Sequence, residues 1–333
     1  MLLLLLAFAL SFLLSLYGTP LAAAAARRFG IVDRPDGHLK VHTESVPYLG
    51  GLAVYIAFLL SYGVVFDYEP RILGLLLSAN IVVTLGLLDD FGAITPKVKF
   101  LGQLLAAFVL VRSDIVIELA ILPPWLNAAL TVIWVIGMMN ALNIIDIMDG
   151  LAGGTALVAA AFFMGISVLT NASFMSFVAA TLLGSLLGFL RHNYHPASIY
   201  LGDTGSMFLG LVLATFALVA DYSDRNPLGF LSPLFILCVP LFDMAYVSLL
   251  RTLKGRPFYF GSKDHYALRL QGKWPSVPAV VNVSCLVGIA GGVLGVANMF
   301  VSPRTSLVML GGVLVFFSGV GVWLAGGRGD EEA

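Results

Sequence analysis

Along most of this chain, runs of about twenty apolar residues alternate with short segments that carry nearly all the charge. A run of that length is what an α-helix needs to cross the hydrocarbon core of a bilayer. Inside lipid every backbone N–H and C=O must be satisfied within the segment, so such runs fold as helices. An apolar share of 59% and a charged share of 11% exclude a soluble domain over 333 residues. The spacing predicts an all-α polytopic membrane protein of about eleven transmembrane helices. These are residues 1–26, 48–66, 71–88, 96–112, 125–141, 151–169, 174–190, 205–220, 228–250, 277–299 and 305–325. The fourth is cut short by Arg112 and Asp114, although Thr95 and Pro96 suit an N-cap and a first helical position. No linker or repeat divides the chain, so residues 1–333 read as a single integral membrane domain. A net charge of −1 gives no footprint for nucleic acid. Cys238 and Cys285 are too few for a disulfide framework and read as packing residues.

Charge sets the orientation. Arg27 and Arg28 follow the first apolar run and no basic segment precedes it. That predicts an outside N-terminus and an uncleaved first helix in place of a signal peptide. Of the 18 Lys and Arg residues, Arg71, Arg112, Arg225 and Arg304 then fall outside and all others inside, as the positive-inside rule asks. The same parity puts the chain's polar clusters on the cytoplasmic face.

The strongest cluster is 140–154, NALNIIDIMDGLAGG, with Asn140, Asn143, Asp146 and Asp149 at steps of three. An Asp at the bilayer centre costs about 2.5–3.5 kcal/mol on insertion scales, so the run marks a place where a span meets water. Steps of three share a face in a 3₁₀ turn but smear around an α-helix. The expectation is a helix that tightens or breaks here, with these oxygens turned into one cavity. Asp89 and Asp90 end the third run, where a helix dipole disfavours negative charge; Lys97 and Lys99 begin the fourth, where positive charge is disfavoured. Such breaks of local rules are expected at functional sites. An Asp pair facing two Lys suits a phosphate and the groups that act on it. Asp203, in YLGDTG, would with Asn143 supply hard oxygen ligands to Mg²⁺. His265 and Arg269, at helical spacing in the long loop 251–275, suit an anionic diphosphate. Asp33, Lys40 and His42 in 31–51 are further candidates, and Asp243, near Pro240, reads as structural.

Taken in order, VDRPDGHLKVH, the 47–51 run, LLDDFG, NALNIIDIMDGLAGG, YLGDTG and the His265 loop resemble the polyprenyl-phosphate N-acetylhexosamine-1-phosphate transferases. The chain looks most similar to the undecaprenyl-phosphate GlcNAc-1-phosphate transferase branch. The resemblance implies transfer of a sugar 1-phosphate, N-acetylglucosamine 1-phosphate or a related HexNAc 1-phosphate, from a UDP-sugar to undecaprenyl phosphate, with release of UMP. It implies a lipid-linked glycan of the cell envelope and a bacterial plasma membrane location. It implies that Asp89 and Asp90 lie at the catalytic centre, that Asn143 and Asp203 bind Mg²⁺ or Mn²⁺, that Asp149 contacts uracil and that Lys99 lies near the lipid phosphate. We add Asp146 to the catalytic set and Asn140, His265 and Arg269 to the substrate-binding set; a homodimer is left open.

The chain departs from the family in two places. The family's DGxDG is here Asp146-Ile147-Met148-Asp149-Gly150. The late HxHHRL is here His265-Tyr266-Ala267-Leu268-Arg269-Leu270. The triple His of the phospho-MurNAc-pentapeptide transferases is missing too, which argues against that alternative. Ala267 stands where relatives place an imidazole, and Ala267→His is expected to be mild. A secondary transporter is the rival class. Its site would sit near the bilayer midplane between repeats, whereas these motifs sit at span ends and no repeat is visible.

Overall fold

The structure, a computed structural model, describes residues 1–33, 45–64, 69–255, 264–274 and 276–326. Lys40 and His42 lie outside the described residues, and Asp33 is described in its backbone alone. The chain forms two compact units, Met1–Ala220 and Asp221–Ala333.

The first unit opens with α1 (Leu2–Phe29) and a short antiparallel ribbon of β1 (Val32–Asp33) and β2 (Val46–Pro47), with Val32 opposite Pro47. Then come α2 (Gly50–Val64), α3 (Pro70–Asp90), α4 (Pro96–Arg112), α5 (Pro124–Ile145), α6 (Leu151–Leu169), α7 (Ser173–Asn193) and α8 (Gly202–Val219). Proline starts α3, α4 and α5, where its missing N–H costs nothing. Thr95 does take the N-cap position of α4, without a side-chain cap bond. The buried face of α1 is small: Ala7, Ser11, Ser15, Thr19, Ala23 and Ala26. It meets α7 at Gly188, where a Cβ would stand 2.6 Å from the carbonyl oxygen of Phe12. Lipid is as apolar as leucine, so membrane helices associate by such close backbone approach. Almost all of α8 is buried, against α2, α3 and α5. Its polar first turn therefore sits at the tip of a buried apolar rod. The loop before it is tied to the start of α2: Tyr200 N–H donates to Pro47 O at 2.8 Å and Gly51 N–H to Leu201 O at 2.8 Å.

The second unit holds a 3₁₀ turn at Gly229–Leu231, then α9 (Ser232–Ile236), α10 (Cys238–Leu253), α11 (Tyr266–Gln271), α12 (Val277–Asn298) and α13 (Pro303–Ala325). The run 228–250, expected as one span, is bent by 72° between Ile236 and Cys238. Pro240 explains the place of the break. It has no N–H for the carbonyl four residues back, that of Ile236, and its ring clashes there. Cys238 and Cys285 are free.

Among the described residues eight helices are long and apolar enough to cross a membrane, or nine with the bent pair counted as one. The chain is thus an almost wholly helical, multi-pass membrane protein. The other two expected spans are present as shorter helices, α2 of 15 residues and α4 of 17.

Candidate active site

Four helix ends meet in the first unit: the C-terminal ends of α3 and α5 and the N-terminal ends of α4 and α8. Each brings one polar side chain to the meeting point. Lys99, in the first turn of α4, is the hub. Its ammonium lies 2.7 Å from Asp89 Oδ2, donates to Asn143 Oδ1 at 3.2 Å and also pairs with Asp203 Oδ2. Asn143 Nδ2 donates to Asp203 Oδ1 at 2.8 Å and to Ser206 Oγ at 3.0 Å. Asp90 turns the other way and accepts from the backbone N–H of Asp203 and of Thr204.

The oxygens of Asp89, Asn143 and Asp203 thus converge on one positive group. Among the described residues no three His, Cys, Asp or Glu side chains group as a ready metal cage. Mg²⁺ does not ask for one, since it commonly takes one or two carboxylates and completes its shell with water and substrate phosphate. A hard donor set of Asp203 and Asn143, already facing a cation, fits it.

α5 ends at Ile145, and Asp146 to Asp149 form a non-helical link before Gly150, in the left-handed region at φ 76°. The helix breaks where the polar spacing predicts. The four polar residues do not share one cavity, however. Only Asn143 joins the Lys99 cluster through its side chain. Asp146 borders the cluster and accepts from Gly202 N–H. Its carboxyl is pushed well above the usual range, by burial first and then by the charges of Asp203, Asp90 and Asp149. Asn140 faces Gln103, with amide hydrogen bonds at 3.0 and 3.5 Å, and Gln103 also reaches Met207 Sδ at 3.4 Å. These residues lie one turn inside Asn143, Lys99 and Asp203 on the same three helices and form a second polar layer beneath them. Asp149 turns to the 194–201 loop, accepting from His195 Nδ1 at 2.8 Å and from Ala197 N–H at 3.0 Å. Residues i and i+3 on an α-helix point about 60° apart, and that drift separates Asn140 from Asn143.

In the second unit His265 is the N-cap residue of α11, and Arg269 N–H bonds to His265 O at 3.0 Å, so the two are spaced by one helical turn. His265 is buried, with Nδ1 3.0 Å from Asp243 Oδ2. Asp243, wholly buried, also accepts from Tyr266 N–H at 2.9 Å and so anchors α11 to α10. Arg269 Nη2 and Lys254 Nζ both donate to Asp264 Oδ1 at 2.7 Å. Ala267 is 0% exposed. The expectation that Ala267→His is mild is therefore corrected: a buried methyl site has no room for an imidazole without overpacking.

Several partners in these networks carried no signal that singled them out. Thr204 lies inside the GDTG segment and Ser206 directly follows it, beside the more conspicuous Asp203. Gln103 sits four residues beyond Lys99, on the same helix face, a spacing that could have flagged it. His195 and Asp264 each neighbour residues of ordinary turn composition.

Residues 72–221 match the family described as Glycosyl transferase family 4, and they include Asp89, Asp90, Lys99, Asn140, Asn143, Asp146, Asp149 and Asp203. The chain is 33% identical over 293 residues to the probable undecaprenyl-phosphate N-acetylglucosaminyl 1-phosphate transferase of Bacillus subtilis, covering 85% of this chain and 81% of that one. It is 31% identical over 333 aligned residues to the decaprenyl-phosphate N-acetylglucosaminephosphotransferase of Mycobacterium tuberculosis, covering 87% and 81%. It is also 31% identical over 244 residues to the phospho-N-acetylmuramoyl-pentapeptide-transferase of Halalkalibacterium halodurans, covering 65% and 75%.

Proposed function

We propose, starting from the fact that the chain belongs to glycosyl transferase family 4, that it transfers N-acetylglucosamine 1-phosphate from a UDP-sugar to undecaprenyl phosphate and releases UMP. The observation that carries the reading is the convergence of Asp89, Asn143 and Asp203 on Lys99 at four helix ends. A cation and carboxylates at the ends of apolar helices support the reading, because a lipid headgroup lies where apolar spans stop. The eleven spans, the outside N-terminus and the cytoplasmic face of a bacterial plasma membrane belong to the same proposal, on the basic-residue bias. The GlcNAc branch is favoured over the pentapeptide branch by the names of two relatives and by the missing triple His.

The nucleophile is itself a phosphate, with a second pKa near 6, so at neutral pH much of it carries two charges and needs no strong base. The larger obstacle is repulsion between that dianion and the diphosphate it attacks. Lys99 offsets part of it at the lipid phosphate, and His265 and Arg269 act at the diphosphate. Asp89 or Asp90 removes a residual proton or positions the nucleophile, and Asp146 lies beside Asp90. Asp149 holds the uracil, and Asn140 supports the substrate-binding side. Asp203 and Asn143 would hold Mg²⁺, or Mn²⁺, which when bound supplies further charge neutralisation.

The test is thin-layer analysis of lipid products from purified protein, undecaprenyl phosphate and a panel of UDP-sugars. A labelled lipid is expected with UDP-N-acetylglucosamine and Mg²⁺, and none in excess chelator. Asp203→Asn should lower kcat at least about tenfold, roughly 1.4 kcal/mol of transition-state stabilisation. Folded protein that makes no lipid product from any UDP-sugar would overturn the reading, and full activity in chelator would overturn the metal assignment.

A further inference from the structure

The neighbouring aspartates at the end of α3 do different things. Asp89 meets Lys99 at 2.7 Å. Asp90 commits both carboxylate oxygens to the start of α8. Oδ1 accepts from Asp203 N–H at 2.8 Å; Oδ2 accepts from Thr204 N–H at 3.2 Å and from the Thr204 hydroxyl at 2.6 Å. The first N–H groups of a helix have no partner within it, and negative charge is favoured there. α8 has no side-chain cap of its own, because its N-cap residue is Leu201. Asp90 supplies the missing cap from another helix.

Two glycines permit the approach. Gly86 lies one turn before Asp90 on α3; a Cβ there would run into the Thr204 backbone and stand 2.8 Å from the carbonyl carbon of Asp203. Gly202 has φ +72°, and a Cβ on it would lie 2.8 and 2.9 Å from the two Asp90 oxygens. The α3–α8 crossing is thus shaped around this contact. Its effect falls on Asp203, whose backbone is held by Asp90 while its side chain meets Lys99 and Asn143.

We propose that Asp90 is a positioning residue: it caps α8 and so holds Asp203, which leaves proton handling in the transfer to Asp89. The role given to Asp203 rests on the transferase reading, whereas the cap does not. Three of its roughly four lone-pair sites are taken by α8, which leaves Asp90 a single open position, on Oδ1, for a proton.

The experiment uses the full chain in detergent with Asp90→Ala, Asp90→Asn, Thr204→Val and Asp89→Asn. Three quantities are read: hydrogen–deuterium exchange of peptides carrying the Asp203 and Thr204 amides, Mn²⁺ binding by electron paramagnetic resonance, and transferase kcat and KM. Asp90→Ala is expected to speed exchange at Asp203 and Thr204 and to weaken Mn²⁺ binding at least about tenfold. Asp90→Asn keeps an acceptor for Asp203 N–H but is no base, so it should recover part of the protection and part of kcat. Thr204→Val removes one bond of the cap and should shift exchange in the same direction by less. Asp89→Asn should leave exchange at these amides unchanged. Wild-type exchange and Mn²⁺ affinity in Asp90→Ala, with kcat lost, would overturn the proposal. So would an Asp90→Asn protein that is protected like wild type yet as inactive as Asp90→Ala. If Asp90→Ala does not fold, wild-type exchange in Thr204→Val decides against the cap. If wild type makes no lipid product, the transferase reading fails while the exchange result still decides the cap.

Discussion

Asp264 shows how one residue's surroundings can reverse the effect of burial. Burial alone would raise its carboxyl, but the hydrogen bonds and charges of Lys254 and Arg269 outweigh it and hold the group at about 2. In the unfolded chain an Asp titrates near 3.9, roughly. A depressed value means that the folded chain binds fewer protons. The stabilisation is therefore complete above about pH 4 and is lost as pH falls through about 2. In detergent, the gap in unfolding temperature between wild type and Asp264→Asn should narrow across that window. A gap that stays constant from about pH 5 down to pH 2 would refute the linkage. The neighbouring motif HYALRL gave two candidates, His265 and Arg269, by spacing alone. That Asp243 and Asp264 hold them was not legible, because Asp243 comes from another helix and Asp264 looks like an ordinary loop residue.

At the level of elements, the choices that looked wrong locally become sensible once a second helix is present. Two aspartates at the C-terminus of α3 oppose its dipole, yet Asp90 sits at the N-terminus of α8, where the dipole favours it. Lys99 opposes the dipole of α4, yet it faces two carboxylates. Glycines act in the same way, through a neighbouring element. Gly188→Ala should drive α1 and α7 apart, because the added Cβ would meet the Phe12 carbonyl oxygen at 2.6 Å. Overpacking of this kind costs about 1–3 kcal/mol. Gly165→Ala, with nothing within 4 Å of the new Cβ, should be neutral or slightly stabilising. Thermal unfolding in detergent compares them, and equal melting of the two variants would show that the α1–α7 contact is loose.

For the whole molecule the open quantity is the number of spans. α4 has 17 residues, which gives about 26 Å of helix against a hydrocarbon core of about 30 Å. If it crosses, Lys97 and Glu118 lie on opposite faces of the membrane. Single cysteines at these exposed positions, with Cys238 and Cys285 replaced, should react with an impermeant reagent from opposite sides. Labelling of both from one side would remove α4 from the spans and reverse the parity that follows it. A second consequence of scale is that the polar groups of the site lie at the ends of helices. A cluster so placed can meet a water-soluble nucleotide without bringing charge to the bilayer centre.

Composition and period were enough to read helices, a membrane and the position of the polar breaks, since those follow from local rules: twenty apolar residues, a satisfied backbone, a proline or glycine at a helix end. They made the polar residues beside apolar spans conspicuous as candidates, because such residues are costly there; the family resemblance joined Asp89, Lys99, Asn143 and Asp203 into one expected site. Which of them touch was decided only by how α3, α4, α5 and α8 cross. Asn140 went to Gln103, Asp149 to His195 and Asp90 to the backbone of α8. The physical reason is that a hydrogen bond acts over about 3 Å, while the sequence carries no direct measure of distance between residues a hundred positions apart.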